Sequence, residues 1–188
     1  MKASIQTFGL SLLIVLLALG IGIGFLYGFD NPVPWILMVI LAAVPWIHRR
    51  LTERQFVSWR DDLSGGIGVI DQEHQKLFGL INNLQTAIYY PAGETFERQA
   101  LKELVDYTQY HFRREEEMMQ RNGYPDYEAH KRVHEDMIRK VQEYLQAYEK
   151  DREGTIQDLT RYLKNWLVHH IAGTDREYGP YLRAHGES

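Results

Sequence analysis

Five of the eight histidines in this 188-residue sequence recur at helical spacing on otherwise apolar stripes. His111 and Glu115 stand four residues apart, as do His130 and His134, so each pair projects from adjacent turns of one helix face. His74 joins the stripe of Ile70, Leu77, Ile81, Leu84 and Ile88, and His170 joins that of Ile156, Leu159, Leu163, Trp166 and Leu167. A single histidine on an apolar face is ordinarily a core residue satisfied by one hydrogen bond. Histidine on the inner face of four successive helices, with a carboxylate among them, calls for a shared partner, and a metal centre supplies one. Cysteine is absent, which removes thiolate ligands, disulfides and a cysteine nucleophile and leaves imidazole and carboxylate as the donors. Five imidazoles with carboxylates exceed what one four-coordinate zinc ion takes, so two metals are the economical reading. Imidazole with bridging carboxylate suits iron, whereas manganese would want a more oxygen-rich shell.

The ferritin-like di-iron enzymes place Glu-x-x-His on two of their helices. No histidine here has glutamate three positions before it, and Asp71 before His74 is the nearest approach. The set is therefore rich in histidine and poor in carboxylate, which favours reversible oxygen binding over oxidative chemistry. Neighbouring candidates fall outside it. His169 adjoins His170 but points off the Leu163, Trp166 and Leu167 face, and Glu116 and Glu117 read as a surface acidic patch. His48 and His185 fit no stripe.

The elements that must position these residues are helices, since no alternating strand pattern appears after residue 66. The first stripe ends before Pro91-Ala92-Gly93. The second runs Leu101, Leu104, Thr108, His111, Glu115 and Met118 and stops at Asn122-Gly123, with Pro125 just beyond. A third begins near the N-cap candidate Asp126, carries His130, His134, Met137, Ile138, Val141 and Leu145, and breaks near Gly154. Short connections between four such helices predict an all-α, up-down-up-down four-helix bundle over residues 66–188. Residues 51–65 form a linker and N-terminal arm, with Ser64-Gly65-Gly66 as its loosest point.

Residues 1–50 have a different character. From Thr7 to Phe29 the chain is uncharged and almost wholly apolar, long enough to cross a bilayer core of about 30 Å. A turn at Gly28-Phe29-Asp30-Asn31-Pro32 leads to a second apolar run, Val33 to Ile47, short for a span but flanked by Trp35 and Trp46, with Pro45 placed to kink its end. A transmembrane helical hairpin is the expectation. A cleaved signal peptide, processed near Ala18-Leu19-Gly20, and a single span followed by a re-entrant or surface helix are its alternatives. Lys2 before the pair and Arg49, Arg50 and Arg54 after it put both ends in the cytoplasm by the positive-inside rule. Gly20, Gly24 and Gly28 allow close approach of another helix, either the second segment through Ala42 and Ala43 or a second copy, which would make a homo-oligomer. Beyond residue 54 there are seventeen basic and twenty-three acidic groups, a net charge of −6. That balance, without a basic stripe, argues against nucleic acid as a partner.

Several segments together resemble the bacterial hemerythrins. Gly66-Ile67-Gly68-Val69-Ile70-Asp71-Gln72-Glu73-His74 is similar to the family's opening motif, with Trp59 in the arm before it. His111-Phe112-Arg113-Arg114-Glu115-Glu116, His130-Lys131-Arg132-Val133-His134 and Trp166-Leu167-Val168-His169-His170-Ile171-Ala172-Gly173-Thr174-Asp175 resemble its second, third and fourth helices. The resemblance covers roughly residues 57–185 and implies a non-haem diiron centre with an oxo or hydroxo bridge. It implies that His130, His134 and His170 hold one iron and that His74 and His111 hold the other, which keeps an open position for oxygen. Glu115 and Asp175 would bridge the two. Asp175 enters mainly on resemblance, because five residues after His170 it lies about 140° off that face on an ideal helix and could bridge only if the helix loosens near Gly173 or the metal sits between the two directions.

The resemblance implies molecular oxygen as the ligand and no catalysis. The hairpin adds storage or delivery of oxygen at the bacterial inner membrane, with the diiron domain facing the cytoplasm beside a membrane oxygen-consuming enzyme. The alternatives are an oxygen or redox sensor acting through a partner protein, and a diiron enzyme reducing peroxide or nitric oxide.

Overall fold

The computed structural model describes residues 2–53, 56–89 and 93–188. Arg54 and the Pro91-Ala92 part of the first break lie outside them. The chain divides into two units, Met1–Phe56 and Val57–Ser188, and among the described residues both are helical.

The first unit is a pair of helices, α1 (Lys2–Leu26) and α2 (Pro32–Glu53). Asn31 closes the turn between them. Its side-chain oxygen accepts the Val33 N–H at 3.1 Å, capping α2, while Pro32 takes the first helical position, where a missing N–H costs nothing. Trp35 Nε1 donates to the Phe29 carbonyl at 3.1 Å, and its ring meets Phe25 edge-on at 5.5 Å. Gly20 and Gly24 face α2: a Cβ on Gly24 would sit 2.6 Å from Pro34 Cγ, and one on Gly20 would sit 3.0 Å from Leu37 Cδ1. The glycine face is thus filled from within the chain, by Pro34 and Leu37 rather than by Ala42 and Ala43. Gly28 leaves that face altogether, because it lies beyond the end of α1 with φ +109°. Of the two partners expected for these glycines, the second segment is the one that meets Gly20 and Gly24. Outward, Leu12, Leu16, Leu19, Ile23, Ile36, Val39 and Ile47 remain exposed. Two stretches, Phe8–Leu26 and Pro32–Leu51, are long and apolar enough to cross a membrane. The second is longer than its apolar run alone, because the helix continues past Ile47 through His48, Arg49 and Arg50.

The second unit carries α3 (Gly68–Tyr89), α4 (Glu94–Asn122), α5 (Tyr127–Tyr148), α6 (Arg152–Ala172) and a short α7 (Thr174–Ala184). The four long helices form a closed bundle: α3 packs on α4, α4 on α5, α5 on α6 and α6 back on α3, while α7 lies against α6 and α4. Leu77, Ile81, Leu84, Leu104, Val141, Ile156, Leu159 and Leu163 fill the interior, all buried and all from the periodic stripes. Each such side chain contributes roughly 1.5–3 kcal/mol by leaving water.

Helix ends follow the local chemistry. α4 stops at Gly123, whose φ of 66° is a left-handed conformation that glycine enters without steric cost, and Tyr124 N–H returns to the Met119 carbonyl. α5 stops at Tyr148, earlier than the break expected near Gly154. Asp151 starts α6 by accepting the Gly154 N–H, so that glycine lies in the first turn of the new helix. The arm is held at Val57, whose N–H and carbonyl both pair with the Asn82 amide at 2.9 and 2.7 Å. Ser64-Gly65-Gly66, expected to be loose, is tied down: Ser64 Oγ and Gly65 N–H both donate to Asp71, and Arg183 reaches the Gly65 carbonyl.

Candidate metal centre

Each of the five α-helices of the second unit sends side chains to one place. His74 comes from the start of α3, His111 and Glu115 from the second half of α4, and His130 and His134 from the start of α5. His170 comes from the end of α6 and Asp175 from the first turn of α7. All seven are buried. Their donor atoms form two groups in which every atom lies within 4.8 Å of the others: Glu115, His130, His134, His170 and Asp175 in one, His74, His111 and Glu115 in the second.

Asp175 arrives because the fourth helix breaks. α6 ends at Ala172, and Gly173 takes φ −109° and ψ −84°, outside the helical region, before α7 restarts at Thr174. That break re-aims a residue which continuous helix would turn away. Asp175 Oδ1 then lies 2.9 Å from His170 Nε2 and 3.5 Å from His130 Nε2, while Oδ2 lies 3.3 Å from His74 Nε2. Glu115 likewise faces both groups, with Oε1 3.5 Å from His74 Nε2 and Oε2 3.4 and 3.5 Å from His111 and His134 Nε2.

The outer partners of two imidazoles fix where their ring protons lie. His134 Nδ1 lies 2.9 Å from Glu116 Oε1, and His111 Nδ1 lies 3.0 Å from Glu73 Oε2. Carboxylates only accept, so both imidazoles carry their proton on Nδ1 and present a bare Nε2 lone pair to the interior. Yet His134 Nε2 faces His130 Nε2 at 3.1 Å and His170 Nε2 at 3.0 Å. His74 Nδ1 and Nε2, His111 Nε2, Glu115 Oε2 and both Asp175 oxygens are buried without a hydrogen-bond partner. Leaving one such atom unsatisfied costs about 1–3 kcal/mol, and here five of the six, all but His74 Nδ1, face the same interior space. Cations would answer all five, and the donor set of imidazole and carboxylate fits iron.

The charges lean the same way. Burial alone would lower His74, but its contacts with Asp175 and Glu115 outweigh it and raise the imidazole to about 9. His130, buried among His134 and His170, is pushed down to about 4 despite Glu115. Burial and the neighbouring Asp175 favour a neutral Glu115, but His111 and His74 prevail and hold it at about 2. The two carboxylates remain anions in a dry interior, drawing positive charge toward themselves.

Ring stacking fixes the imidazole planes. Phe112 lies flat on His134 at 3.7 Å and 3°, and Trp166 on His170 at 4.2 Å and 21°. Four participants escape sequence reasoning. Tyr178 donates its hydroxyl to Glu115 Oε1; its place three residues after Asp175, one turn along the same face, is the one signal that pointed to it. Glu73 and Arg114 carry no periodic signal, since their role depends on the seam between α3 and α4. Glu116 is not part of a surface patch, because it turns toward α5 and takes the His134 proton. Glu117 and His169 are exposed, as read from spacing.

Comparison with known proteins agrees with this geometry. The hemerythrin HHE cation binding domain matches residues 65–182. The chain is 42% identical over 131 residues to the bacteriohemerythrin of Stenotrophomonas maltophilia (strain R551-3), covering 68% of this chain and 82% of that protein. It is 38% identical over 125 residues to the bacteriohemerythrin of Pseudomonas aeruginosa (strain LESB58), covering 66% and 80%. A crystal structure of wild-type hemerythrin superposes with a TM-score of 0.60 at 33% identity, covering 67% of this chain and 97% of that one. The chain belongs to the hemerythrins, whose domain holds a non-haem diiron centre and whose ligand is molecular oxygen.

Proposed function

We propose that this chain binds molecular oxygen reversibly at two iron ions, storing or delivering it at a membrane in which α1 and α2 are anchored. His130, His134 and His170 hold one iron, His74 and His111 the other, and Glu115 and Asp175 are shared. The observation that carries this reading is the set of five buried, unpartnered donor atoms facing one another between the bundle helices. The unequal imidazole count, three against two, leaves more room for a small ligand on the His74 and His111 side.

When bound, the iron pair would supply the redox chemistry that the side chains lack. The chain's own residues keep that centre dry and fixed. Phe112 and Trp166 cover the imidazole rings, and Leu77, Leu104, Leu167 and Ile171 are buried within the same core. Excluding water suppresses irreversible loss of electrons to the ligand. Tyr178 fixes one oxygen of Glu115, while Glu73 and Glu116 hold the outward ring protons of His111 and His134.

The donors come from the start of α3, the end of α4, the start of α5 and the end of α6. That alternation supports an up-down-up-down bundle. Residues 1–50 then serve as membrane anchor, 51–65 as linker and arm, and 66–188 as the diiron domain. Lys2, Arg49 and Arg50 flank the two apolar stretches, with Asp30 in the turn between them, which supports a cytoplasmic diiron domain at the bacterial inner membrane. Oxygen partitions into lipid, so an anchored carrier sits beside its source and beside any oxygen-consuming membrane enzyme.

The test is the optical spectrum of the anaerobically reduced, iron-loaded full chain before, during and after exposure to oxygen. Bands that come with oxygen and leave on its removal are expected. Irreversible oxidation, or fewer than two irons per chain, would overturn the carrier reading. For the anchor, the protein should stay with membranes through a high-salt wash and leave only with detergent; release by salt alone would sink that part.

A further inference from the structure

The inward-facing imidazoles differ in what holds the ring nitrogen turned away from the centre. His134 Nδ1 donates to Glu116, and among the described residues no lysine or arginine pairs with that carboxylate. His74 Nδ1 has no acceptor. His111 is held far more completely. Its Nδ1 donates to Glu73 Oε2 at 3.0 Å, the other oxygen of Glu73 accepts Arg114 Nε at 2.8 Å, and Arg114 Nη2 reaches the Tyr110 hydroxyl. Glu73 belongs to α3 and is buried, whereas His111, Arg114 and Tyr110 all belong to α4, with Arg114 three residues after His111 and four after Tyr110. The carboxylate therefore crosses the seam between two helices and is gripped on its far side by a guanidinium from the same helix as the imidazole. Arg114 itself is 38% exposed in its side chain and lines an open surface cavity of about 490 Å³ with Arg113, Glu117 and Arg121.

We infer that Arg114 is a positioning residue for one of the two metal positions and not for the other. It acts through Glu73. With both oxygens engaged, Glu73 cannot rotate its carboxylate plane away from the seam, so the His111 ring keeps its proton on Nδ1 and its Nε2 lone pair toward Glu115. The position served by His74 and His111 has only two imidazoles, and one of them lacks any outer partner, so it depends heavily on the other being held. The position served by His130, His134 and His170 draws on three imidazoles and is served by Glu116 instead. A surface arginine thus sets the affinity of one metal selectively, at the position with fewer protein donors. This inference rests on the two-metal reading above.

Cobalt(II) tests it, because its visible bands report the ligand set without oxygen chemistry. The full chain in detergent is titrated with cobalt(II) against a competing chelator, and the two binding steps are resolved. In Arg114→Met, one step should weaken by roughly fivefold or more, up to the roughly 10–100-fold usual on removing the outer partner Glu73 itself, while the other moves by less than about twofold. Glu73→Gln should weaken the same step, and Glu116→Gln the other one. Arg114→Lys, which keeps the charge but not the fork, should fall between wild type and Arg114→Met. A purely structural role would weaken both steps together and lower the thermal midpoint of the metal-free chain in proportion. Two cobalt ions in the wild type with equal or no weakening in Arg114→Met would overturn the inference alone. Fewer than two in the wild type would overturn the two-metal reading and the inference with it.

Discussion

Helix α4 buries a glutamate near each end, Glu97 in its first turn and Glu115 eighteen residues on, about 27 Å apart along the axis. The two are treated in opposite ways. Glu97 accepts the Tyr148 hydroxyl at 2.7 Å and lies 3.4 Å from Arg152 Nη1, while Arg98 lies over the Tyr148 ring at 5.0 Å. These partners come from α4, α5 and α6, so the interactions that neutralise the carboxylate also tie three helix ends together. Glu115 has one donor, Tyr178, on one oxygen and none on the other, and its remaining neighbours are imidazoles and a second carboxylate. Burying a carboxylate is costly wherever it happens, and a partner within the chain is the ordinary compensation. Burial therefore does not distinguish a site from a structural tie. The distinction lies in what compensates: a hydroxyl and a permanently charged arginine at Glu97, and imidazoles whose nitrogens a metal would take at Glu115.

If the two ends differ in this way, metal should act on one far more than on the other. Adding cobalt(II) to the metal-free chain at about a hundred times its dissociation constant should stabilise whatever unfolds with the site by about 2.7 kcal/mol per ion. Amide exchange should then slow about 100-fold or more around His74, His134 and Asp175, and much less around Tyr148. Equal slowing at both ends would mean that the bundle opens as one unit, and the contrast would have no energetic content. The reciprocal experiment is Glu97→Ala. It strands a buried hydroxyl and leaves Arg152 without its buried partner, at a cost of about 1–3 kcal/mol in urea unfolding. Metal stoichiometry should remain at two, and a loss of metal would show that the far end supports the site after all.

Reading the sequence from spacing reaches one layer of this arrangement and stops at the next. The apolar stripes mark the inner face of each helix, and His74, His111, Glu115, His130, His134 and His170 all lie on them. Periodicity reports the face of one helix and nothing about which helix it meets. Glu116 stands one residue from Glu115, about 100° around the axis, and its partner His134 belongs to α5. Glu73 is next to His74 but serves His111 across a seam. Asp175 depends on a break in regular helix at Gly173, and a 3.6-residue period describes only unbroken helix. In the first unit, close approach at Gly20 and Gly24 was legible in their spacing. That Pro34 and Leu37 fill the space depends on how α1 and α2 pack, which spacing does not encode.

A smaller effect probes how well the far end is sealed. Burial raises the Tyr148 hydroxyl well above its ordinary value of 10.0, and the hydrogen bond and charge of Glu97 raise it further, against a weaker opposing pull from Arg98. The folded chain therefore keeps this proton to higher pH than the unfolded chain does. Below pH 10 neither state has released it, and the full contribution of the Tyr148–Glu97 bond is present. Above pH 10 the unfolded chain gives the proton up first, so stability falls as pH rises toward the folded value, by at most about 1.4 kcal/mol per pH unit. Tyr148→Phe removes both the bond and this dependence. At pH 8 the variant should be less stable than the wild type by about 1 kcal/mol. Between pH 10 and 11.5 the gap should close, since the other tyrosines titrate alike in both proteins and cancel. A gap that stays constant across that range would mean that Tyr148 ionises as readily in the folded chain as in the unfolded one. Water would then reach Glu97, and the far end would not be the closed counterpart of the metal end.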